Sequence, residues 1–306
     1  NLMFSMNPEL APLETVFEQA MSLERMDLSQ RQHYAHRLQE LKVVLIRALI
    51  SDQLRYINIA KEWFTIHDLS DIRRRRIGAG RIGGKSAGML LATRVITDSL
   101  ELPPDVTVDT PESYYIGSQE LYTYMSINNL AHWNDQKYKT EEEMRADYPT
   151  IVDDFLKGEL PPDITARLEG VMASVGKRPV IVRSSSLLED NFGTSFAGKY
   201  ESIFLPNQAS PAENMHALTR AIAQIYASTL NPNALLYRRS KGLLDYDERM
   251  AILIQVVQGE SYGKYYLPQA AGVAFSHNLF RWSPQLRKED GFVRLVWGLG
   301  TRAVDR

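Results

Sequence analysis

The chain has 306 residues, 44% of them hydrophobic, and a formal net charge of −2 from 35 basic and 37 acidic side chains. That length suits one large core or two modest ones, and the charge balance lacks the basic footprint of a nucleic-acid binder. Cysteine is absent, which excludes disulfides and thiolate metal sites and agrees with a reducing cytoplasm, and no apolar run approaches the ~20 residues of a membrane helix, so neither nucleic acid nor membrane is expected as a partner.

In chain order, a first helix is predicted over Glu14 to Met26. Ser29 is a fair N-cap for a long helix running through Phe64, because Leu38, Leu41, Leu45, Leu49, Tyr56, Ile59 and Trp63 recur at three-, four- and seven-residue spacings. Arg73 to Arg76 follow as a basic run, either a solvated face or a contact for an acidic partner or for phosphates. The organisation divides near residue 72: residues 1–72 read as a helical N-terminal extension and residues 73–306 as the main domain.

Gly83-Gly84-Lys85 then precedes an apolar helical stretch, Ala87 to Ile96. A glycine-rich turn at a helix start can offer backbone N–H groups to an anion, and lysine adds a mobile point charge. Gly84-Lys85-Ser86 is also the tail of a Walker A loop, but the register fails: the pattern needs glycine where Ala79 stands, and four arginines take the place of the hydrophobic strand. A polar, acidic stretch over Asn134 to Asp147 reads as an exposed helix or insertion, and Pro161-Pro162 marks a break before a helix from Asp163 to Val175.

Residues 178–205 are the most informative stretch. Pro179 to Val182 reads as a short buried strand with Arg183 at its end, Ser184 to Ser186 as a turn with hydroxyl and backbone donors, and Phe196-Ala197-Gly198 as the lead into a second extended run ending at Leu205. Arginine suits polyphosphate because its planar fork binds phosphate oxygens bidentately, and glycine lets backbone approach a ligand. The plainer reading is a serine-rich turn with a solvated arginine. The acidic pair Glu189-Asp190 could supply a general base, but a carboxylate beside polyphosphate repels it, so a structural role in orienting the Arg183 turn fits better.

Val182-Arg183-Ser184-Ser185-Ser186, Glu189-Asp190, Ser195-Phe196-Ala197-Gly198 and Glu201-Ser202 together resemble the VRSSA…ED…SFAG signature of the pyruvate phosphate dikinase and phosphoenolpyruvate synthase family. Gly83 to Leu90 resembles the family's GGKG-x-x-L segment, with Ser86 where the family usually has glycine. Further matches run in the family's order: Leu218 to Leu230, Asn233 to Arg238, Met250 to Val257 with Gln255, Gly272 to Asn278, and Leu295 to Gly300.

The resemblance implies an α+β, ATP-grasp-like, two-lobed nucleotide-binding domain. It implies ATP with Mg2+ as cofactors, Lys85 and Arg183 as the catalytic cations, and Gly83, Gly84, Ser184, Gly198, Ser202 and Gln255 as further nucleotide contacts. In the family, phosphate from ATP passes to a histidine on a mobile domain and then to pyruvate or a related acceptor, a paired-acceptor dikinase reaction. None of the six histidines here lies in that histidine's motif, and their scatter gives no metal-ligand spacing, so no residue is assigned to a metal. The family's D-x-E-W and Q-x-RP segments, which carry the magnesium side, do not appear, and Thr301 stands where glutamate is common. The expectation is therefore a domain incomplete at its C-terminus, binding ATP without full turnover, in a protein able to form homo-oligomers. A non-catalytic regulatory or scaffolding relative that keeps the fold is the alternative of a different class.

Overall fold

The computed structural model describes residues 7–101, 103–189, 199–246, 248–278 and 283–300. Its N-terminal part is helical because apolar residues repeat at helical spacing. Helix α1 (Leu13–Glu24) buries Val16, Phe17, Ala20 and Leu23 on one stripe. The single long helix expected from Ser29 to Phe64 is instead three. Asp27, not Ser29, caps α2 (Leu28–His33), its carboxylate accepting the Gln30 N–H at 2.9 Å. Tyr34 leaves helical conformation before α3 (Ala35–Leu49), and Gln53 is extended before α4 (Leu54–Trp63). Helix α2 buries nothing and Ile59 is exposed, but α3 and α4 turn their stripes to the same core, which also takes Ile66, Leu69 and Ile72 of α5 (Ile66–Arg75). Thr65 and Asp68 close a capping box at the start of α5.

A mixed five-stranded sheet follows. Strands β1 (Arg76–Ile77), β2 (Ser113–Ile116), β3 (Val180–Ser186), β4 (Ser202–Leu205) and β5 (Met250–Val256) stand in the order β1-β2-β5-β3-β4. Only the β1–β2 pairing is parallel among these five strands. Strand β5 is buried along its whole length, because helices cover both faces of the sheet. On one face Val180, Val182, Ile252 and Ile254 pack with α7 (Glu120–Ile127), α8 (Glu141–Lys157), α9 (Pro162–Val175), α10 (Pro211–Ser228) and α11 (Pro232–Ser240). On the other, Tyr115 and Leu253 join the core of α1 and α3 to α5, together with Ile82 and Ala87, the latter from α6 (Gly84–Ser99). The N-terminal helices thus share a core with the sheet.

The chain divides into a unit ending at Val256 and a second beginning at Val257. The second holds two hairpins, β6 (Glu260–Tyr262) with β7 (Tyr265–Leu267) and β8 (Ala270–Phe275) with β9 (Phe292–Trp297). The fold is therefore α+β. No helix among the described residues is long and apolar enough to cross a membrane.

Candidate functional site

The loop between β1 and α6 is set by glycine. Gly83 sits at φ +83°, and a Cβ there would come within 1.6 Å of the Ser185 carbonyl oxygen; at Gly84 it would meet the Glu189 carbonyl at 1.9 Å. These glycines let the loop dock against the chain's own strand β3. Upstream, Glu120 accepts the Ala79 N–H at 2.7 Å and Arg76 donates to the Gly80 carbonyl at 2.8 Å, so the loop is braced from two sides.

The three serines are not in a turn. Strand β3 runs on through Ser186, and all three are buried. The strand was expected to end at Val182 because three hydroxyls in a row look solvated, yet each finds a partner inside. The Ser185 hydroxyl donates to the Ile82 carbonyl at 2.8 Å and accepts the Ser86 N–H at 3.1 Å, while the two hydroxyls meet at 3.1 Å. Ser86, where glycine was expected, is thus a specific partner of Ser185 and engages one helix-start donor that the sequence left for an anion. Ser186 donates to Glu248, which also accepts the Tyr200 hydroxyl at 2.9 Å. Satisfied in this way, the hydroxyls cost little to bury.

Lys85, on the first turn of α6, ends its ammonium 3.3 Å from the Ser184 hydroxyl and 3.2 Å from Glu189 Oε1. Ser184 in turn donates to Glu189 Oε1 at 3.0 Å, and Glu189 Oε2 accepts the Ser186 N–H at 2.8 Å. Burial pushes the Glu189 carboxyl above the usual carboxylate range, with the Lys85 ammonium pulling against it.

Arg183 lies mid-strand, not at a strand end, and donates to Gln255 Oε1 at 3.3 Å. Gln255 donates to Ser113 Oγ at 3.0 Å and reaches Met89 Sδ, one turn along α6 from Lys85, at 3.1 Å. Arg183 and Gln255 therefore lie on the α6 side of β3. The Lys85 ammonium ends on the neighbouring strand position, Ser184, whose side chain points to the opposite face. Ser202 is exposed on β4 directly across from Arg183. Asp190, Ser195 to Gly198 and Thr301 lie outside the described residues.

Glu248 and Tyr200 of this network gave no sequence signal, whereas Arg238 closes a segment matched in the sequence. Glu248, Tyr200 and Arg238 come from segments far from β3, and Arg238 approaches Glu248 at 3.8 Å. The arginine run is mostly neutralised: Arg73 pairs with Glu14 at 2.8 Å, and Arg74 and Arg75 both pair with Asp71. Among the described residues no group of three or more His, Asp or Glu is placed to hold a metal ion.

A mixed sheet covered by helices, with a glycine loop docked on the strand that carries Arg183, defines the class as an α+β domain. The family described as pyruvate phosphate dikinase, AMP/ATP-binding domain, matches residues 79–306, and the chain belongs to it. A rifampicin phosphotransferase from Streptomyces sviceus is 25% identical over 210 residues, covering 68% of this chain and 22% of that protein. A phosphoenolpyruvate synthase from Aeropyrum pernix is 26% identical over 235 residues, covering 73% of this chain and 25% of that protein. The chain spans about a quarter of the length of these relatives.

Proposed function

We propose that this chain is the nucleotide-binding part of an ATP-dependent phosphotransferase of the phosphoenolpyruvate synthase and pyruvate phosphate dikinase kind. The observation that carries the reading is the docked glycine loop, which holds Lys85 of α6 against β3 at Ser184, the strand position next to Arg183, itself held by Gln255. A polyphosphate needs several positive groups once it is partly desolvated, and phosphoryl transfer relies on charge neutralisation and alignment. In this reading Lys85 and Arg183 take phosphate oxygens, Gly83, Gly84, Ser184, Gly198 and Ser202 shape the phosphate and ribose side, and Gln255 stands near the base. The fold of this reading is ATP-grasp-like and two-lobed. Mg2+ would accompany ATP and would supply charge neutralisation at its phosphates, and no described residue is assigned to hold it. In the whole protein, phosphate passes to a histidine and on to pyruvate or a related acceptor, in a reducing cytoplasm that suits a chain without cysteine.

Calorimetric titration with ATP and Mg2+ tests this. Saturable binding that weakens at least tenfold in Lys85→Ala and Arg183→Ala supports it. Unaltered affinity in both variants, or no binding at millimolar ATP, overturns it.

A further inference from the structure

Glu189 is 4% exposed and lies at the point where nucleotide and protein would compete for one ammonium. Its Oε1 faces Lys85 and the Ser184 hydroxyl, and its Oε2 faces the Ser186 N–H. From the segment before β5 it is faced by Glu248, and from the segment before β4 by Tyr200; Glu248 is tied to Ser186, Tyr200 and Arg238 of α11 rather than to Lys85. Lys85 is the cation in contact with Glu189, and it is the less buried of the two, with 20% of its side chain exposed against 5%. An anion arriving from solvent therefore meets the ammonium first.

Two movements are open to Lys85, and both act on Glu189 in one direction. If the ammonium swings to the phosphates, Glu189 is left buried with one hydroxyl and one amide donor and no counter-ion. A carboxylate in that position is strongly disfavoured as the anion. If the ammonium stays, the phosphate charges come to rest beside a buried carboxylate, and like charges at short range again favour its neutral form.

We propose that Glu189 is the resting counter-ion of Lys85 and takes up one proton when a polyphosphate engages Lys85, so that nucleotide binding at this site consumes a proton. The proton comes from water and lands on a Glu189 carboxylate oxygen, and no other covalent bond changes. The proposal rests on the reading of Lys85 as a phosphate contact. It makes Glu189 a positioning residue that tunes the availability of Lys85, not a base in the reaction. Binding weakens as pH rises, by up to tenfold per pH unit between the free and bound titrations of Glu189.

Infrared difference spectroscopy on ATP addition, with calorimetry in two buffers of different ionisation enthalpy, tests it. Wild type is expected to show a new protonated-carboxyl stretching band and a buffer-dependent heat. Glu189→Gln should still bind ATP, without the band, and with its affinity less dependent on pH. Lys85→Met gives a second arm that does not need Glu189→Gln to fold: with no ammonium, the protonated-carboxyl band should be present before any ATP is added. ATP binding to wild type without the band, a band that persists in Glu189→Gln, or its absence from ligand-free Lys85→Met overturns the proposal and leaves the functional reading standing. Failure of wild type to bind ATP overturns the functional reading itself.

Discussion

Gly83→Ala should be far more damaging than a loop substitution usually is, and the reason lies in the chain's own backbone. The residue holds φ +83° and ψ 170°, a region nearly reserved for glycine, at a cost of about 1–3 kcal/mol for any other residue. The added methyl would also sit 1.6 Å from the Ser185 carbonyl oxygen, which no rotamer change can relieve. Moving the loop away breaks the Ser185 hydroxyl's bonds to the Ile82 carbonyl and the Ser86 N–H, worth about 1 kcal/mol each. The total is roughly 3–5 kcal/mol. Gly88→Ala is the matched control: a Cβ there meets nothing within 4 Å inside helix α6, so the change should stabilise by about 0.5–1 kcal/mol. Urea unfolding followed by tryptophan fluorescence reads both as opposite shifts of the midpoint. If Gly83→Ala moved the midpoint no further than Gly88→Ala does, the loop would not be docked on β3, and its glycines would be there for a ligand instead.

Arg183→Lys should lose nearly as much ATP affinity as Arg183→Ala, by roughly 1.5–3 kcal/mol, because lysine cannot copy a fork that holds Gln255 and, in the proposed function, takes phosphate as well; calorimetry showing the lysine variant close to wild type would reduce Arg183 to a point charge. Tyr226→Phe should be neutral or stabilising by about 1 kcal/mol, since its buried hydroxyl has no hydrogen-bond partner among the described residues, whereas Tyr124→Phe gives up a bond to the Phe155 carbonyl and should cost about 1 kcal/mol. Thermal unfolding of the two variants side by side checks the sign. Burial raises the Glu120 carboxyl, so its charge opposes folding increasingly as pH climbs from the unfolded value of about 4.3 through the raised one. Glu120→Gln keeps an oxygen for the Ala79 N–H and should match wild type at low pH but exceed its stability at neutral pH; a constant difference across pH, measured by urea unfolding, would contradict this.

Much of the fold was legible because it follows from period and punctuation. Helix α9 begins at Pro162 and ends at Val175, one residue from the expected start, since proline fixes the first turn and Gly176 follows the last. Strand β5 was read as Met250 to Val257 and runs to Val256. The three-helix break between Asp27 and Trp63 was not legible, because apolar spacing reports which face is buried and is silent about a change of direction at Tyr34 or Gln53. The interior of the site was hidden for a related reason. Ser184 to Ser186 look solvated in sequence because their partners, Ile82, Glu189 and Glu248, are supplied by the fold, and the nearest, Glu189, gives no hint of being buried. Lys85 and Arg183 could be nominated by type and neighbours, but only the fold shows that one ends on Ser184 and the other on Gln255.

The position of β5 in the sheet fixes the order in which this unit can assemble. It is the last of the five strands to be synthesised, yet it lies at the centre, pairing with β2 about 140 residues earlier and with β3 about 70 earlier. Its Leu253 completes the core of the N-terminal helices, and its Ile252 and Ile254 complete the core on the opposite face. Until residues 250–256 leave the ribosome, β1–β2 and β3–β4 are two separate pairs with open inner edges, and neither helical layer has a finished surface to close upon. A nascent chain of this protein therefore carries two adhesive sheet edges from the completion of β4 until β5 follows about 45 residues later. The demand on holding chaperones should end abruptly when one seven-residue strand slots between them.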